Sequence, residues 1–322
     1  MKFLIAGFGS IGRRHFQNLL ALGEKDIILY RTGKSTLPDE ELDGFTIETD
    51  FETALANRPD AVIIANPTAM HMDVAVPAAA AGCHILVEKP VSHDLVRVGE
   101  LQAALDRSGA RLLVGFMFRF HPGLQQVKAW MDAGAVGAPL SVRAHWGEYL
   151  PDWHPWEDYR KGYAARADLG GGVVRTLSHP LDYLLWLLGD AEVAAAATSN
   201  LGLNLEVEDC ADILLRFKRG TLGSVHLDYV QRPPAHSLEI TGSEGLIRWD
   251  FLTGATMRYV PEGDHWEKFD LPVGFDRNEL FLAQMRHFLA VVRGEADPIC
   301  TLAEGVRVQT LIEAVYAAAE GA

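Results

Sequence analysis

The chain has 322 residues, 48% of them hydrophobic and 22% charged, and its 29 Lys and Arg against 43 Asp and Glu give a formal net charge of −14. This length suffices for two domains with their own cores, and the apolar content excludes a disordered chain. The acidic balance argues against nucleic acid or an anionic membrane as a partner, and charged residues interrupt every apolar stretch before the roughly 20 residues of a membrane span.

Short apolar runs alternate with helical patterns over the first hundred residues. The predicted strands are residues 3–6, 27–30, 61–65, 85–87 and 111–114. The predicted helices between them are residues 11–22, 51–57, 72–81 and 95–108. Because continuously apolar strands that alternate with helices belong to sheets covered on both faces, this part of the chain predicts a doubly wound parallel sheet.

The pattern changes after about residue 120. Strand-like segments there are residues 141–145, 211–218, 221–229, 237–241 and 246–251. Short glycine-bearing connectors are typical of hairpins, so this second sheet is predicted to be largely antiparallel. We therefore expect an α/β protein with a first domain over residues 1–120 and a second over residues 121–322, whose last helix is a candidate to pack on the first domain.

A glycine-rich segment directly follows the first predicted strand. It reads Gly7-Phe8-Gly9-Ser10-Ile11-Gly12, which is the pattern GxGxxG at the start of a predicted helix. In this context the first glycine permits a tight turn, the second lets the backbone approach a pyrophosphate, and the third allows close packing of helix and strand. The helix N-terminus then faces the phosphates. The segment predicts a dinucleotide site; the alternative is a plain glycine-rich turn.

The residues after the second strand bear on the choice between NAD and NADP. A carboxylate at this place binds a ribose 2′-hydroxyl and selects NAD, but the chain has Arg31, Thr32, Lys34 and Ser35 here. Arg31 can pair with a 2′-phosphate and stack on adenine, and the other three can donate hydrogen bonds. We therefore expect NADP as the preferred cofactor and NAD as the second choice. The alternative is a solvated basic loop.

A lysine ends the strand at residues 85–87. Ligands of open α/β sheets bind at the carboxyl ends of strands, and Glu88-Lys89-Pro90 occupies such an end. The Lys89 ammonium can hydrogen-bond a substrate hydroxyl and stabilise an alkoxide, and Pro90 fixes the turn. The alternative is an ordinary surface lysine.

A histidine and an aspartate stand three residues apart at the start of a later helix. His179 and Asp182 share one face at its N-terminal end. An imidazole titrates near neutral pH and can take the proton of a hydroxyl, and Asp182 is placed to orient it. The alternative is a histidine bonded locally at a helix start.

Taken in order, these motifs resemble the Gfo/Idh/MocA (glucose–fructose oxidoreductase / inositol 2-dehydrogenase) family. The resemblance covers the whole chain and rests on the combination of motifs, since each alone is unspecific. It is carried by the GxGxxG at Gly7, Ala65-Asn66-Pro67-Thr68 with His71, Glu88-Lys89-Pro90, Arg119-Phe120, the triple glycine at 170–172 and His179-Pro180-Leu181-Asp182. The resemblance implies a Rossmann domain followed by an α/β domain with an open-faced sheet, NAD(P)-dependent redox chemistry on sugars, sugar acids or cyclitols, and homodimers or homotetramers formed through that sheet.

The same resemblance implies roles for single residues. Lys89 is then the catalytic lysine and His179 the acid/base histidine. The cofactor contacts predicted on this basis are Asn66, Pro67, Thr68, His71, Glu88 and Lys89. The family often has an aspartate three or four residues before the histidine, where this chain has Thr176 and Arg175. Asp182 is therefore the candidate for orienting His179.

An aromatic segment lies between the motifs, at residues 146–161, with three tryptophans in eleven residues. Aromatic faces stack on the C–H surfaces of sugars, and an arginine can bind a carboxylate or phosphate. The predicted substrate contacts, here and elsewhere, are Arg119, Trp153, Trp156, Tyr159, Arg160 and Thr176. The alternative for the segment is packing between subunits or beneath the loop.

Two expectations are negative. The 12 histidines include neither an HExxH motif nor another recognised ligand spacing, so no metal is predicted. Three dispersed cysteines without a CxxC motif favour a cytoplasmic protein. The sequence thus favours an NADP-dependent dehydrogenase or reductase acting on CH–OH groups. The alternatives are a glycoside-cleaving relative with a tightly bound dinucleotide and a non-catalytic dinucleotide-binding sensor.

Overall fold

The computed structural model describes residues 1–33 and 42–321. Its contacts divide the chain into two units: residues 1–117 with 277–309, and residues 118–276 with 310–322. The predicted division at residue 120 lies three residues beyond the first of these limits, and residues 277–309, which were expected in the second domain, group with the first unit. Within the described residues, no helix combines the length and apolar content needed to cross a lipid bilayer.

The helices and strands follow in chain order. The helices are α1 (Ser10–Ala21), α2 (Phe51–Ala56), α3 (His71–Ala80), α4 (Val98–Ser108), α5 (Pro122–Asp132), α6 (Val173–Thr176), α7 (His179–Leu188), α8 (Arg277–Val292) and α9 (Leu302–Glu320). The strands are β1 (Lys2–Ala6), β2 (Asp26–Tyr30), β3 (Thr46–Glu48), β4 (Ala61–Ile64), β5 (His84–Val87), β6 (Leu112–Val114), β7 (Pro139–Tyr149), β8 (Ala191–Ser199), β9 (Cys210–Phe217), β10 (Leu222–Asp228), β11 (Val230–Gly242), β12 (Gly245–Asp250), β13 (Thr256–Val260) and β14 (His265–Phe269).

The first unit is built on a six-stranded parallel sheet in the order β3-β2-β1-β4-β5-β6. Every residue of β4 is buried, as helices on both faces of a parallel sheet require. The strand order reverses between β1 and β4, so the segments that follow these two strands leave the sheet side by side. This confirms the predicted doubly wound sheet and brings the carboxyl ends of β1 and β4 side by side.

The second unit is built on an eight-stranded sheet in the order β14-β13-β12-β11-β7-β10-β9-β8. All neighbours pair antiparallel except β7 and β10, which are parallel. Burial alternates strictly along β9, so one face is covered and the other open. The predicted open-faced, largely antiparallel sheet is therefore confirmed, with one parallel pair in its interior.

Several elements were not predicted. They are α5, α6, β3, β8, β13 and β14. Strand β8 is rich in alanine, and alanine is depleted in strands, so its sequence gives little strand signal. Helix α5 starts at a His-Pro pair, where His121 accepts hydrogen bonds from the N–H groups of Gly123 and Leu124 through its Nδ1 atom. Histidine is an uncommon helix cap, which hid the start of this helix.

Candidate functional site

The loop after β1 needs its glycines for two close backbone approaches. Gly7 has φ +96°, and a Cβ there would lie 2.5 Å from the backbone nitrogen of Asn66, at the end of β4. A Cβ on Gly12 would collide with the carbonyl oxygen of Gly7. At Gly9 a Cβ would meet no atom within 4 Å. The first and third glycines therefore close the loop on itself and on β4, and the second faces open space.

The N-terminus of α1 begins directly after this open position. Among the described residues no side chain caps the helix at Gly9, and its first turn carries no acidic residue. The N–H groups of the first turn therefore keep their partial positive charge and their donor capacity for an anion. Ser10 is exposed beside them, while Phe8 is buried. The open space at Gly9 and the N–H donors at the start of α1 fit the pyrophosphate of a dinucleotide.

Two guanidinium groups lie over the ring of Phe8. The Cζ atom of Arg13 is 4.8 Å from the ring centroid and that of Arg31 is 5.9 Å from it. Arg31 directly follows β2, and its backbone N–H donates to the carbonyl oxygen of Glu48, 3.0 Å away. Thr32 is exposed, and the predicted contacts Lys34 and Ser35 lie outside the described residues. Arg13 escaped the sequence analysis, although it directly follows the last glycine of the motif.

The segment after β4 is joined to the segment after β5 by a buried histidine. The Nε2 atom of His71 lies 3.0 Å from the carbonyl oxygen of Asn66, and its Nδ1 atom lies 3.1 Å from that of Pro90. Burial lowers the pKa of His71, so the neutral ring donates to one of these carbonyls. In the sequence between Asn66 and His71, Thr68 is buried and Pro67 is half-buried. His71 thus ties together the ends of two adjacent strands.

Lys89 follows β5 directly after Glu88, a buried carboxylate that is held by a hydrogen bond. The carboxylate of Glu88 lies 2.8 Å from the Nε2 atom of His15, which is fully buried in α1. Burial raises the pKa of Glu88, but the hydrogen bond with His15 and the nearby Lys89 charge outweigh it, and the net pKa lies below its usual value. The Lys89–Pro90 peptide bond is cis, and Lys89 itself is half-buried. The lysine therefore stands at the carboxyl end of β5, as predicted, beside an ionised carboxylate.

In the second unit, helix α7 begins at His179, which is 2% exposed. Its ring packs edge-on against Phe118, with centroids 4.9 Å apart, and lies 5.6 Å from the ring of Trp146. One turn along, the fully buried Asp182 receives the guanidinium of Arg119, Nη2 to Oδ1 at 2.7 Å and Nε to Oδ2 at 3.1 Å. The structure thus brings together two residues that the sequence analysis gave separate roles, Arg119 as a substrate contact and Asp182 as the partner of His179.

The triple glycine before α6 is held by a carboxylate that the sequence analysis missed. Gly172 has φ +107°, and a Cβ there would lie 2.5 Å from Oε1 of Glu208. That atom accepts hydrogen bonds from the N–H of Val174 at 3.1 Å and the hydroxyl of Tyr316 at 2.7 Å. Burial raises the pKa of Glu208 despite these donors. Thr176, at the position where the resemblance led us to look for an aspartate, is buried two residues further on.

The aromatic segment has an inner and an outer part. The Trp153 ring is half-buried and packs edge-on against Tyr229, with centroids 5.6 Å apart. Trp156 is 60% exposed, and the exposed guanidinium of Arg160 lies 5.2 Å from the Tyr159 ring. Trp153 therefore anchors the segment, while Trp156 and Arg160 stand in solvent.

Comparison with known proteins gives consistent matches along the chain. A model described as an oxidoreductase family with an NAD-binding Rossmann fold matches residues 1–116, and the GFO/IDH/MocA C-terminal domain matches residues 124–248. The inositol 2-dehydrogenase of Acidiphilium cryptum is 30% identical over 76% of this chain and 73% of its own length. The D-apiose dehydrogenase of Paraburkholderia graminis is 26% identical over 99% of this chain and 87% of its own length.

A solved structure shows the same fold. The WlbA dehydrogenase from Bordetella pertussis, in complex with NADH and UDP-GlcNAcA, superposes with a TM-score of 0.83 at 24% identity. The match covers 100% of this chain and 97% of that one. The similarity therefore extends over both units.

Proposed function

This chain belongs to the GFO/IDH/MocA oxidoreductase family, and we propose that it transfers a hydride between a nicotinamide cofactor and a carbinol or carbonyl carbon of a sugar, sugar acid or cyclitol. The observation that carries the proposal is the loop after β1, where Gly7 and Gly12 close the backbone, Gly9 faces open space and the start of α1 is uncapped. The relatives that act on inositol and on apiose support the substrate class.

The chain supplies binding, polarisation and proton transfer, and the nicotinamide supplies or accepts the hydride when it is bound. The N–H groups at the start of α1 would hold the pyrophosphate. Lys89 donates a hydrogen bond to the substrate oxygen and stabilises the charge that develops on it. His179 takes or returns the hydroxyl proton as general base or acid. Asp182, already bound to Arg119, acts as a positioning residue for the helix that carries His179.

We propose NADP as the preferred form of the cofactor. The support is the pair of guanidinium groups at Phe8, which offers two positive charges close to the loop and beyond the end of β2. A 2′-phosphate accepts charge-assisted hydrogen bonds from such groups. Among the described residues, Glu48 ends β3 in register with Tyr30 and offers a carboxylate through which NAD would be preferred instead.

A single methyl group tests the dinucleotide site. Gly9→Ala adds a Cβ that meets nothing in the protein alone, so the variant should fold normally. With cofactor present the methyl competes with the pyrophosphate, and we expect the Kd for NADPH to rise at least about tenfold, or about 1.4 kcal/mol. The measurement is a titration of cofactor-stripped protein followed by nicotinamide fluorescence.

The matched control is Gly99→Ala in α4, where a Cβ also meets open space. It should leave the Kd unchanged. Equal affinities for the Gly9→Ala variant and the parent protein would remove the observation on which the proposal depends.

The cofactor preference is tested by a pair of substitutions. Arg31→Ala should weaken NADPH binding about 10- to 100-fold, the loss of one charge-assisted hydrogen-bonded pair, and change NADH binding little. Glu48→Gln should leave NADPH binding intact. If Arg31→Ala weakens both cofactors equally, the basic loop is only solvated and does not select NADP. If Glu48→Gln selectively weakens NADH in a protein that binds NADH better, the preference is for NAD.

A further inference from the structure

The open face of the eight-stranded sheet carries a row of polar residues that the proposed redox function does not use. In the strand register His226 of β10 lies opposite His145 of β7 on one side and opposite Asp212 of β9 on the other. Directly opposed residues point to the same face of a sheet and stand about 5 Å apart. The two imidazole rings have centroids 5.0 Å apart and meet at 90°.

A carboxylate completes this group. Asp228, two residues beyond His226, places Oδ2 3.2 Å from Nε2 of His226 and 3.9 Å from Nε2 of His145. One ligand atom from each of these three residues lies within 4.8 Å of the other two. Ligand atoms around a tetrahedral zinc ion stand about 3.3–3.6 Å apart, given metal–ligand distances of about 2.0–2.2 Å. Side-chain movements of about one ångström would therefore bring all three onto one ion.

Strand β7 leaves room for the carboxylate of Asp228. Gly147 of β7 pairs with Asp228, and a Cβ there would collide with Oδ2 of Asp228 and with Oε1 of Gln231. Asp228 is held in place by the N–H of Val230, which donates to its Oδ1 at 2.8 Å, and its side chain is only 4% exposed. Oε1 of Gln231 lies 2.7 Å from Nε2 of His145, so a further oxygen ligand is at hand.

Asp212 contacts His226 on the side of the ring that faces away from Asp228. Its Oδ1 lies 2.8 Å from Nδ1 of His226, the ring nitrogen that faces away from Asp228. When a metal displaces the Nε2 proton, a carboxylate that accepts the Nδ1 proton keeps the Nε2 lone pair directed at the ion, the arrangement by which proteins orient a histidine ligand. The pair of acidic groups also gives this region a negative charge that favours a cation.

From this geometry we propose that His145, His226 and Asp228 form a binding site for a divalent transition-metal ion of the zinc type, with Asp212 as a positioning residue. Two imidazole nitrogens and one carboxylate oxygen suit Zn²⁺, Ni²⁺ and Co²⁺, whereas Mg²⁺ and Ca²⁺ select all-oxygen sites. The sequence analysis predicted no metal because it looked for ligands close together in the sequence. Here they come from β7 and β10, which lie side by side because these two strands pair in parallel.

The test uses the untagged full-length protein, stripped with a chelator and titrated with ZnCl₂ by calorimetry. We expect one equivalent of Zn²⁺ to bind at micromolar protein concentration. With CoCl₂ in its place, a visible absorption band of a nitrogen- and oxygen-ligated cobalt ion should reach its plateau at one equivalent. His226→Ala and Asp228→Asn should each weaken Zn²⁺ binding at least about 100-fold, and Asp212→Asn about 10- to 100-fold with a shifted cobalt spectrum.

The control is His265→Ala, which removes an exposed histidine on β14 and should change nothing. His145→Ala provides a second ligand variant at a side chain that is 39% exposed, so a folded protein is expected even where substitution of Asp228 disturbs the sheet. The proposal is overturned if the parent protein binds less than one equivalent of Zn²⁺, or if binding survives in both His226→Ala and His145→Ala.

Discussion

The loop after β1 and the segment from the triple glycine to α7 are both bends marked by glycines, but they are held in different ways. In the first, main chain meets main chain: Gly7 closes on Asn66, and Gly12 closes on Gly7. In the second, carboxylates hold the backbone and its neighbours: the half-buried Glu208 accepts from the N–H of Val174 beside Gly172, and the buried Asp182 accepts from Arg119. The glycine spacing of the first bend can be recognised in the local sequence, although Gly7 also meets the distant Asn66, whereas the side chains that hold the second bend form no such motif.

The largest effect is expected where a buried charge loses a partner. Asp182→Ala removes one member of the buried ion pair with Arg119, and such a removal costs about 3–5 kcal/mol of stability. The measurement is the free energy of unfolding from urea titration. The double variant Asp182→Leu with Arg119→Met should recover much of the loss, because it removes both charges. If Asp182→Ala lowers turnover and leaves the unfolding midpoint in place, the carboxylate acts on His179 rather than on the fold.

For Lys89→Ala, in the first unit, we expect a loss of turnover with little loss of stability, the opposite of the expectation for Asp182→Ala. Because Lys89 is half-buried and Glu88 is also held by His15, the fold should tolerate the loss. Loss of a group that stabilises a developing oxyanion lowers kcat by about 10²–10³-fold, or about 3–4 kcal/mol in the barrier. The assay is NADPH turnover with a substrate found in a panel of sugars, sugar acids and cyclitols.

The exposed Lys25→Ala serves as the control for charge alone. An unchanged kcat in Lys89→Ala would end the catalytic assignment. A raised Kd for NADPH with unchanged kcat would make Lys89 a cofactor contact instead.

A smaller effect, dependent on pH, is expected at the start of α5. Burial lowers the pKa of His121 from 6.5 to about 4. Between these two values the unfolded chain binds the proton and the folded chain does not, so the free energy of unfolding falls as the pH falls from 6.5 towards 4. The full difference corresponds to about 3 kcal/mol.

His121→Asn separates this effect from that of other groups. Asparagine is a good helix cap and can accept from the N–H groups of Gly123 and Leu124 without titrating. Urea midpoints at pH 7.5 and pH 5 should differ less in this variant than in the parent protein. His265→Asn, at an exposed site, should keep the parent dependence. An equal loss of stability in all three proteins would show that His121 does not cause it.

What the sequence predicted follows from the same contrast. The parallel sheet, the glycine loop and the hairpin strands all depend on neighbouring residues: continuous apolar runs, a GxGxxG motif after a strand, and glycine-bearing turns. These signals are local and were sufficient. The assignment to a family rests on the same motifs, and the matches to residues 1–116 and 124–248 confirm it.

The features that the sequence did not predict need partners brought together by the fold. Arg119 and Asp182 are 63 positions apart, and Glu208 meets Tyr316 across 108 positions. A motif search cannot pair such residues, because the pairing is set by sheet register and helix packing rather than by spacing. The placement of residues 277–309 with the first unit is of the same kind, since it depends on which surface α8 covers.

The parallel pairing of β7 with β10 has a consequence for how a protein of this design diverges. Strand β7 lies between β10 and β11, both of which come later in the chain, while the next strand in sequence, β8, is at the sheet edge. The chain therefore makes a long excursion, residues 150–190, before it returns to the sheet. Its exposed part, around Trp156 and Arg160, can gain, lose or exchange residues while every strand keeps its neighbours. Natural selection can thus revise the tryptophan-bearing segment on an inherited scaffold that stays the same.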